Sequence, residues 1–303
     1  MALAPTHGLR VVCIGDVHGE WDADRDAELL ARLSPDLVVA VGDFDNERSA
    51  IPKALSRLPF AKALLLGNHD AWTSSKTGKV GPQLQKSFDS IKDCDAGYTR
   101  LQWPAENLDG VVVVGARPLS WGGSNCSPQV WDLLKGLYGV ASMDESTSTI
   151  TDLLLRGSPM PHDLIIVAHN GPLGLGSSAE SICGRDWQRP ATDWGDGDLR
   201  DALATAEACG TNVPLCVFGH MHAKCRNGKR REMVVQRGKT VFVNCAEVPR
   251  HRSDGASHFT VVELDRDAFG SRLVATVESV WVGGESGMEA VSLYAAANAN
   301  AMS

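Results

Sequence analysis

The 303-residue sequence has no apolar run approaching about 18 residues, so no segment reads as a membrane-spanning helix. The first ten residues lack the apolar centre of a secretory signal. Positive charge is not in excess: 29 lysines and arginines face 37 aspartates and glutamates, for a net charge of −8. A broad electrostatic grip on nucleic acid is therefore not expected. One basic segment, residues 224–239, stands against that background with Lys224, Arg226, Lys229, Arg230, Arg231, Arg237 and Lys239. Cysteine is present at eight positions but never in pairs at metal-site spacing, and Cys13 and Cys216 lie inside core-like runs. The expectation is reduced thiols in an intracellular, cytoplasmic protein, or a plastid one if a transit peptide is missing from this chain.

What the sequence does have is a repeated strand ending. Leu64 to Leu66 are apolar and run into Gly67-Asn68-His69-Asp70. Val11 to Ile14 lead into Gly15-Asp16-Val17-His18, and Leu37 to Val41 into Gly42-Asp43. Leu164 to Val167 precede Ala168-His169, and Leu215 to Phe218 precede Gly219-His220-Met221-His222. A short apolar run ending at a small residue reads as a buried strand meeting a tight turn. Parallel α/β sheets place their chemistry at such carboxyl ends. One ending of this kind is commonplace, whereas five with one logic are hard to explain as turns.

Between these runs, 24–33, 50–58, 82–91, 129–138, 142–156 and 199–208 have helical spacing. The β-α-β-α-β order over 9–70 implies parallel strands with right-handed crossovers. Segments 241–244, 259–264 and 273–282 read as antiparallel strands. Residues 1–8 are expected to be a disordered lead, 9–283 a single domain, 117–160 a cap insertion and 284–303 a disordered tail.

The seven polar residues Asp16, His18, Asp43, Asn68, His169, His220 and His222 exceed what one tetrahedral ion needs. Their mixed oxygen and nitrogen donors suit two ions of intermediate softness such as Mn, Fe or Zn, sharing one carboxylate. In Asp16-Val17-His18 and His220-Met221-His222 the donors are two apart, so an extended chain points both the same way. Two such ions can activate water and polarise a phosphoryl group.

These blocks, D-x-H, GD, GNHD, a histidine after a strand and GHxH, resemble the calcineurin-like metallophosphoesterase superfamily across residues 15–222. The loops HNGPLGLG and ICGRDW resemble those of a cyanobacterial and plant-type branch. The resemblance implies a four-layer α/β/β/α sandwich with two mixed sheets. It implies a first metal on Asp16, His18 and His222, a second on Asn68, His169 and His220, and Asp43 between them. It also implies a metal-bridging hydroxide that attacks phosphorus, with His69 protonating the leaving oxygen or stabilising the transition state. Asp70 joins His69 in the catalytic pair, and the group that orients His69 is Asp45, Asn46 or Asp70. The chain departs from serine/threonine protein phosphatases in carrying Asn46-Glu47 where those have Asp-Arg, and Glu47 cannot bind phosphate as an arginine would.

The expected substrate is a small phosphomonoester or phosphodiester. Arg117 and Arg185, with Arg189, are candidate phosphate contacts. The loop 170–198 is expected to be a mobile lid, and the tryptophans at 72, 121, 187 and 194 to wall a pocket or anchor loops. Two other classes compete: a catalytically silent scaffold, which would have lost ligands, and a nuclease using segment 224–239.

Overall fold

The computed structural model describes residues 8–123, 126–156, 163–268 and 270–296. The expected lead up to residue 7 and the end of the expected tail, 297–303, lie outside the described residues. Twelve strands form two six-stranded sheets. The first sheet holds β1 (Leu9–Ile14), β2 (Leu37–Ala40), β3 (Lys62–Leu64), and late in the chain β10 (Ser257–Arg266), β11 (Arg272–Gly283) and β12 (Gly287–Ala295). Its order is β12-β11-β10-β1-β2-β3. The second holds β4 (Arg100–Leu101), β5 (Val111–Gly115), β6 (Asp163–Val167), β7 (Leu215–Phe218), β8 (Val234–Arg237) and β9 (Thr240–Asn244), in the order β4-β5-β6-β7-β9-β8. β1, β2 and β3 are parallel to one another, as are β5, β6, β7 and β9.

Several central strands are apolar along most of their length, as in LVVA of β2 and LCVF of β7, because both faces are covered. Val11 and Cys13 of β1 enter the core between the sheets, where they meet Val113, Ile165, Val217 and Val243. Val12 and Ile14 point the other way, into a core closed by helices α1 (Ala23–Arg32), α2 (Ala50–Ser56), α4 (Pro82–Ile91) and α5 (Pro128–Tyr138). A one-turn helix α3 (Ser74–Thr77) precedes α4. On the far side, Val112, Val114, Leu164 and Ile166 pack under α6 (Met143–Leu155) and α7 (Gly197–Ala208). Three apolar layers between four layers of secondary structure make the α/β/β/α sandwich with mixed sheets that the sequence implied. Each fully buried Val, Leu or Ile contributes roughly 1.5–3 kcal/mol.

Three expectations are corrected. Residues 284–296 are not a loose tail: Gly283, Gly284 and Gly287 turn at positive φ, and β12 returns along β11. The strand was hidden because it is a solvent-facing edge, with Met288 and Val291 49% and 60% exposed, and so lacks an apolar alternation. Segment 117–160 is not one cap, since its two helices join opposite outer layers, α5 on the first sheet and α6 on the second. Residues 124–125 and 157–160 of that segment lie outside the described residues. Finally, β9 is antiparallel only to β8; the β8–β9 hairpin reverses the chain, so β9 runs parallel to β7.

Candidate metal centre

All five polar strand endings converge. Asp16 and His18 follow β1, Asp43 follows β2, Asn68 follows β3, His169 follows β6, and His220 and His222 follow β7. Asp16, His18 and His222 bring their donor atoms within 4.8 Å of one another, and so do Asp43, His169 and His220. Within these groups, His18 Nε2 lies 3.1 Å from His222 Nε2, and His222 Nε2 lies 3.3 Å from Asp16 Oδ2. In the second, His169 Nε2 lies 3.3 Å from Asp43 Oδ1 and 2.7 Å from Asn68 Oδ1. His220 Nδ1 approaches the same Asn68 oxygen at 2.9 Å. Asp43 also reaches toward the first group, with Oδ2 3.8 Å from His18 Nε2.

The turns that aim these side chains are unusual. Asp16, His18, Asp43 and His220 all have positive φ, between 43° and 67°. Few non-glycine residues adopt that backbone, and it is concentrated where surrounding structure over-determines a functional geometry. Two glycines leave room: a Cβ on Gly67 would strike Asp43 Oδ1 and His169, and one on Gly219 would strike Asp16 Oδ1.

The donor set fits bound cations. His169 Nδ1 donates to the carbonyl of Val41 at 2.7 Å, so its Nε2 presents a lone pair to two acceptor oxygens. Asp16 Oδ2 is buried with no hydrogen-bond partner. Burial together with the neighbouring His169 pushes His220 down to about 3, and burial lowers His169 and His18. Burial and the nearby Asp16 and Asp70 carboxylates raise Asp43 well above the usual carboxylate range. Burial also opposes ionisation of Asp16, but the neighbouring His222 overcomes it and holds that carboxyl low. Imidazole nitrogens and carboxylate oxygens converging at these distances are what one or more positive ions would satisfy.

His69 adjoins this cage and forms a third group of converging donors with His18 and Asp43. A ring nitrogen lies within 4.8 Å of donor atoms of His18 and Asp43, and the His69 amide donates to Asp43 Oδ1 at 2.7 Å. Its Nδ1 is 2.6 Å from Asn46 Oδ1, so of the three sequence candidates Asn46 orients the ring. Burial, then His18 and His169, lower His69 to about 4. Asp70 has a different task. Its carboxylate accepts the amides of Gly67 at 2.8 Å and Phe44 at 2.9 Å, clamping two ligand-bearing turns from beneath. Glu47 also turns away, accepting the amides of Thr73 and Ser74 at the start of α3.

The arginines separate. Arg117 is buried at 1% exposure, with Nη1 3.1 Å from Asp196 and 3.3 Å from Asp198, so it is no phosphate contact. Arg185 lies over Trp194 at 4.6 Å, and Arg189 is exposed. Arg231, one of the basic-segment residues, is buried and donates to the carbonyls of His222, Ala179, Ser181 and Gly184. Lys229 and Arg230 pair with Glu180 and Glu247. Three of the seven basic residues of this segment thus have internal partners, in keeping with the expectation that nucleic acid is an unlikely partner. The expected mobile lid is similarly tied down: Asp193 accepts the amides of Gly174 and Gly195, and Trp194 donates to the Trp121 carbonyl. Asp196 and Asp198 are spent on Arg117, and Asp186 accepts the amide of Arg226. Sequence reasoning did not find Asn46 as sole partner, the Val41 carbonyl or the Arg231 staple. Only Asn46 left a signal, by its position three residues after Asp43.

Among the described residues no helix is long and apolar enough to cross a membrane. The profile described as Calcineurin-like phosphoesterase matches residues 9–224. No curated protein sequence matches the chain significantly. Among solved structures, a dimetal phosphatase from Danio rerio is similar at 13% identity, over 94% of this chain and 99% of that one, with a TM-score of 0.50. GAP50, described as the anchor in the inner membrane complex of Plasmodium, aligns at 12% identity over 96% and 90% of the two chains, TM-score 0.48. The phosphopantetheinyl hydrolase of Mycobacterium tuberculosis aligns at 14% identity over 80% and 91%, TM-score 0.47.

Proposed function

The chain belongs to the calcineurin-like phosphoesterase family, and from that premise we propose that it hydrolyses a small phosphomonoester or phosphodiester at the centre shared by Asp43, with His69 assisting the leaving oxygen. It is a metallophosphoesterase; the substrate, the roles of single residues and the intracellular setting are the proposal. The observation that carries it is the pair of ligand groups meeting at Asp43.

Asp16, His18 and His222 would hold one ion, Asn68, His169 and His220 the other, with Asp43 between. When bound, two ions of the Mn, Fe or Zn type supply an activated water and neutralise charge on the phosphoryl oxygens. The chain's own residues do the rest. Val41 fixes the His169 tautomer through Nδ1, and Asp70 holds the turns of Asp43 and Asn68 in place. Asn46 holds the His69 ring by Nδ1 and leaves Nε2 for the leaving oxygen. An amide adds no charge, so Asn46 does not draw a second proton onto the ring as an aspartate would. Asn46 Oδ1 accepts from Nδ1–H, so Nε2 of the neutral ring carries the lone pair and must take up a proton before it can pass one to the leaving oxygen. The silent-scaffold reading finds no support in a centre that keeps all seven donors.

The test is metal content together with turnover. Wild-type protein should carry close to two transition-metal equivalents and hydrolyse an aryl phosphate, and Asp43→Asn should lose both ions and the activity. A single tightly bound ion, unaffected by that substitution, would overturn the shared-carboxylate assignment.

A further inference from the structure

Aromatic rings lead away from the metal centre in an unbroken line. His69 meets the ligand His18 edge-on at 4.7 Å and stacks on Trp72 at 4.6 Å with 23° between the planes. Trp72 faces Trp121 at 5.7 Å and 30°. Trp121 is 36% exposed, one of the few large apolar side chains so presented among the described residues. Its backbone, by contrast, is fixed. Leu119 and Ser120 just before it are buried, the Ser120 hydroxyl donates to Asp196 at 2.8 Å, and the Trp121 carbonyl accepts the Trp194 indole N–H at 2.8 Å. Gly122 and Gly123 have positive φ, and any side chain on them would meet the Trp194 ring. A rigidly mounted indole left open beside a reaction centre offers a large flat contact at little entropic cost.

A cation stands on the indole whose N–H holds the Trp121 carbonyl. The Arg185 guanidinium covers Trp194 at 4.6 Å. Its Nε is buried without a hydrogen-bond partner, and no carboxylate pairs with it among the described residues. In a chain of net charge −8, where the loop arginines Arg230 and Arg231 have found acceptors, this group is available for an anion.

We infer that Trp121 and Arg185 form a leaving-group subsite, and that the substrate is a phosphate ester whose alcohol carries a planar ring and a second negative charge. The ring lies on Trp121 and the second anion meets Arg185, while the scissile phosphate sits at the metal centre. This rests on the phosphoesterase reading above and deepens it. Phosphate esters of small aliphatic alcohols reach neither group and are poorer substrates.

The experiment compares kcat/KM of metal-loaded protein for glycerol 2-phosphate, adenosine 5′-monophosphate and adenosine 3′,5′-bisphosphate. Wild type should rank them in rising order. Trp121→Ala keeps the carbonyl that holds Trp194. It should lower the ratio of either adenosine ester to glycerol 2-phosphate at least about 5-fold, the scale of losing one ring stack. Arg185→Gln should lower the ratio of bisphosphate to monophosphate and leave the ratio of monophosphate to glycerol 2-phosphate within 2-fold. Quenching of tryptophan fluorescence by the bisphosphate, read without turnover, should weaken in both variants. Equal losses on all three esters in Trp121→Ala, or a wild type indifferent to the ring, would overturn the subsite while leaving the phosphoesterase reading intact. Absence of turnover of any ester would instead strike at that reading.

Discussion

Replacing Arg117 by methionine separates a buried structural cation from a substrate contact. Arg117 is almost wholly enclosed, and its Nη1 lies between Asp196 and Asp198, which are fully buried themselves. Asp196 also accepts from Ser120, and Asp198 from Ser146. Methionine fills most of the volume but leaves two carboxylates facing each other without a counter-charge. Breaking a buried pair in this way costs about 3–5 kcal/mol. At about 2 °C per kcal/mol for a chain of this length, Tm should fall by roughly 6–10 °C. The loss should depend on pH. Burial already raises the Asp196 carboxyl to about 7 against an ordinary 3.8, Arg117 being the main opposing influence. A carboxyl raised on folding holds its proton longer in the native state than in the unfolded one, so stability falls as pH rises through that interval. Without Arg117 the interval widens, and the deficit should be greatest near pH 8 and shrink toward pH 5. Calorimetry of both proteins across that range measures it. An unchanged Tm with a KM raised 10-fold would refute the burial argument and restore Arg117 as a phosphate contact.

Arg231→Met should weaken metal binding about 10–100-fold, because it removes the staple between the His222 carbonyl and the loop carbonyls of Ala179, Ser181 and Gly184; metal titration followed by mass spectrometry would show it, and wild-type affinity would count against the role. Asp95, raised to about 7 by burial, should make stability fall as pH climbs from about 4 to 7. Asp95→Asn should remove that slope and stabilise the protein at pH 8 by up to about 4 kcal/mol, while near pH 4 the two melt together; parallel slopes would dismiss it. His69→Ala should keep the metals and slow turnover by about 10²–10⁴-fold, less for aryl phosphates than for alkyl esters; equal losses on both would mean that the ring serves phosphoryl charge alone.

The ligand set was readable because its signal is local. A buried run, a small residue and a polar side chain occupy five to seven consecutive positions, and the parallel strands of the two sheets then gather such ends. What stayed hidden depends on contacts distant in sequence. Asn46 could be named only among three candidates, since the choice needs the 2.6 Å contact to His69. Arg117 looked like a loop arginine because Asp196 and Asp198, some 80 residues on, give no sign of where they fold. Arg231 belongs to a stretch whose composition suggests solvent, yet the chain folds its guanidinium inward onto four carbonyls. β12 was missed for the opposite reason: an edge strand in water has little to bury, so its sequence carries no pattern.

Neither metal group belongs to a single sheet. Asp16 and His18 come from the first sheet and His222 from the second; Asp43 and Asn68 come from the first and His169 and His220 from the second. Each ion would therefore act as a rivet through the apolar seam between the sheets. The seam itself is held by non-directional packing of Val11, Cys13, Val113, Ile165 and Val217, which resists separation but tolerates sliding. Two coordinated points at one end of the seam forbid that sliding and fix the register of one sheet over the other. Metal supply would thereby become a mechanical variable of the whole fold: a loaded chain would gain stability with the logarithm of free metal concentration, and the gain would be lodged where its two sheets meet.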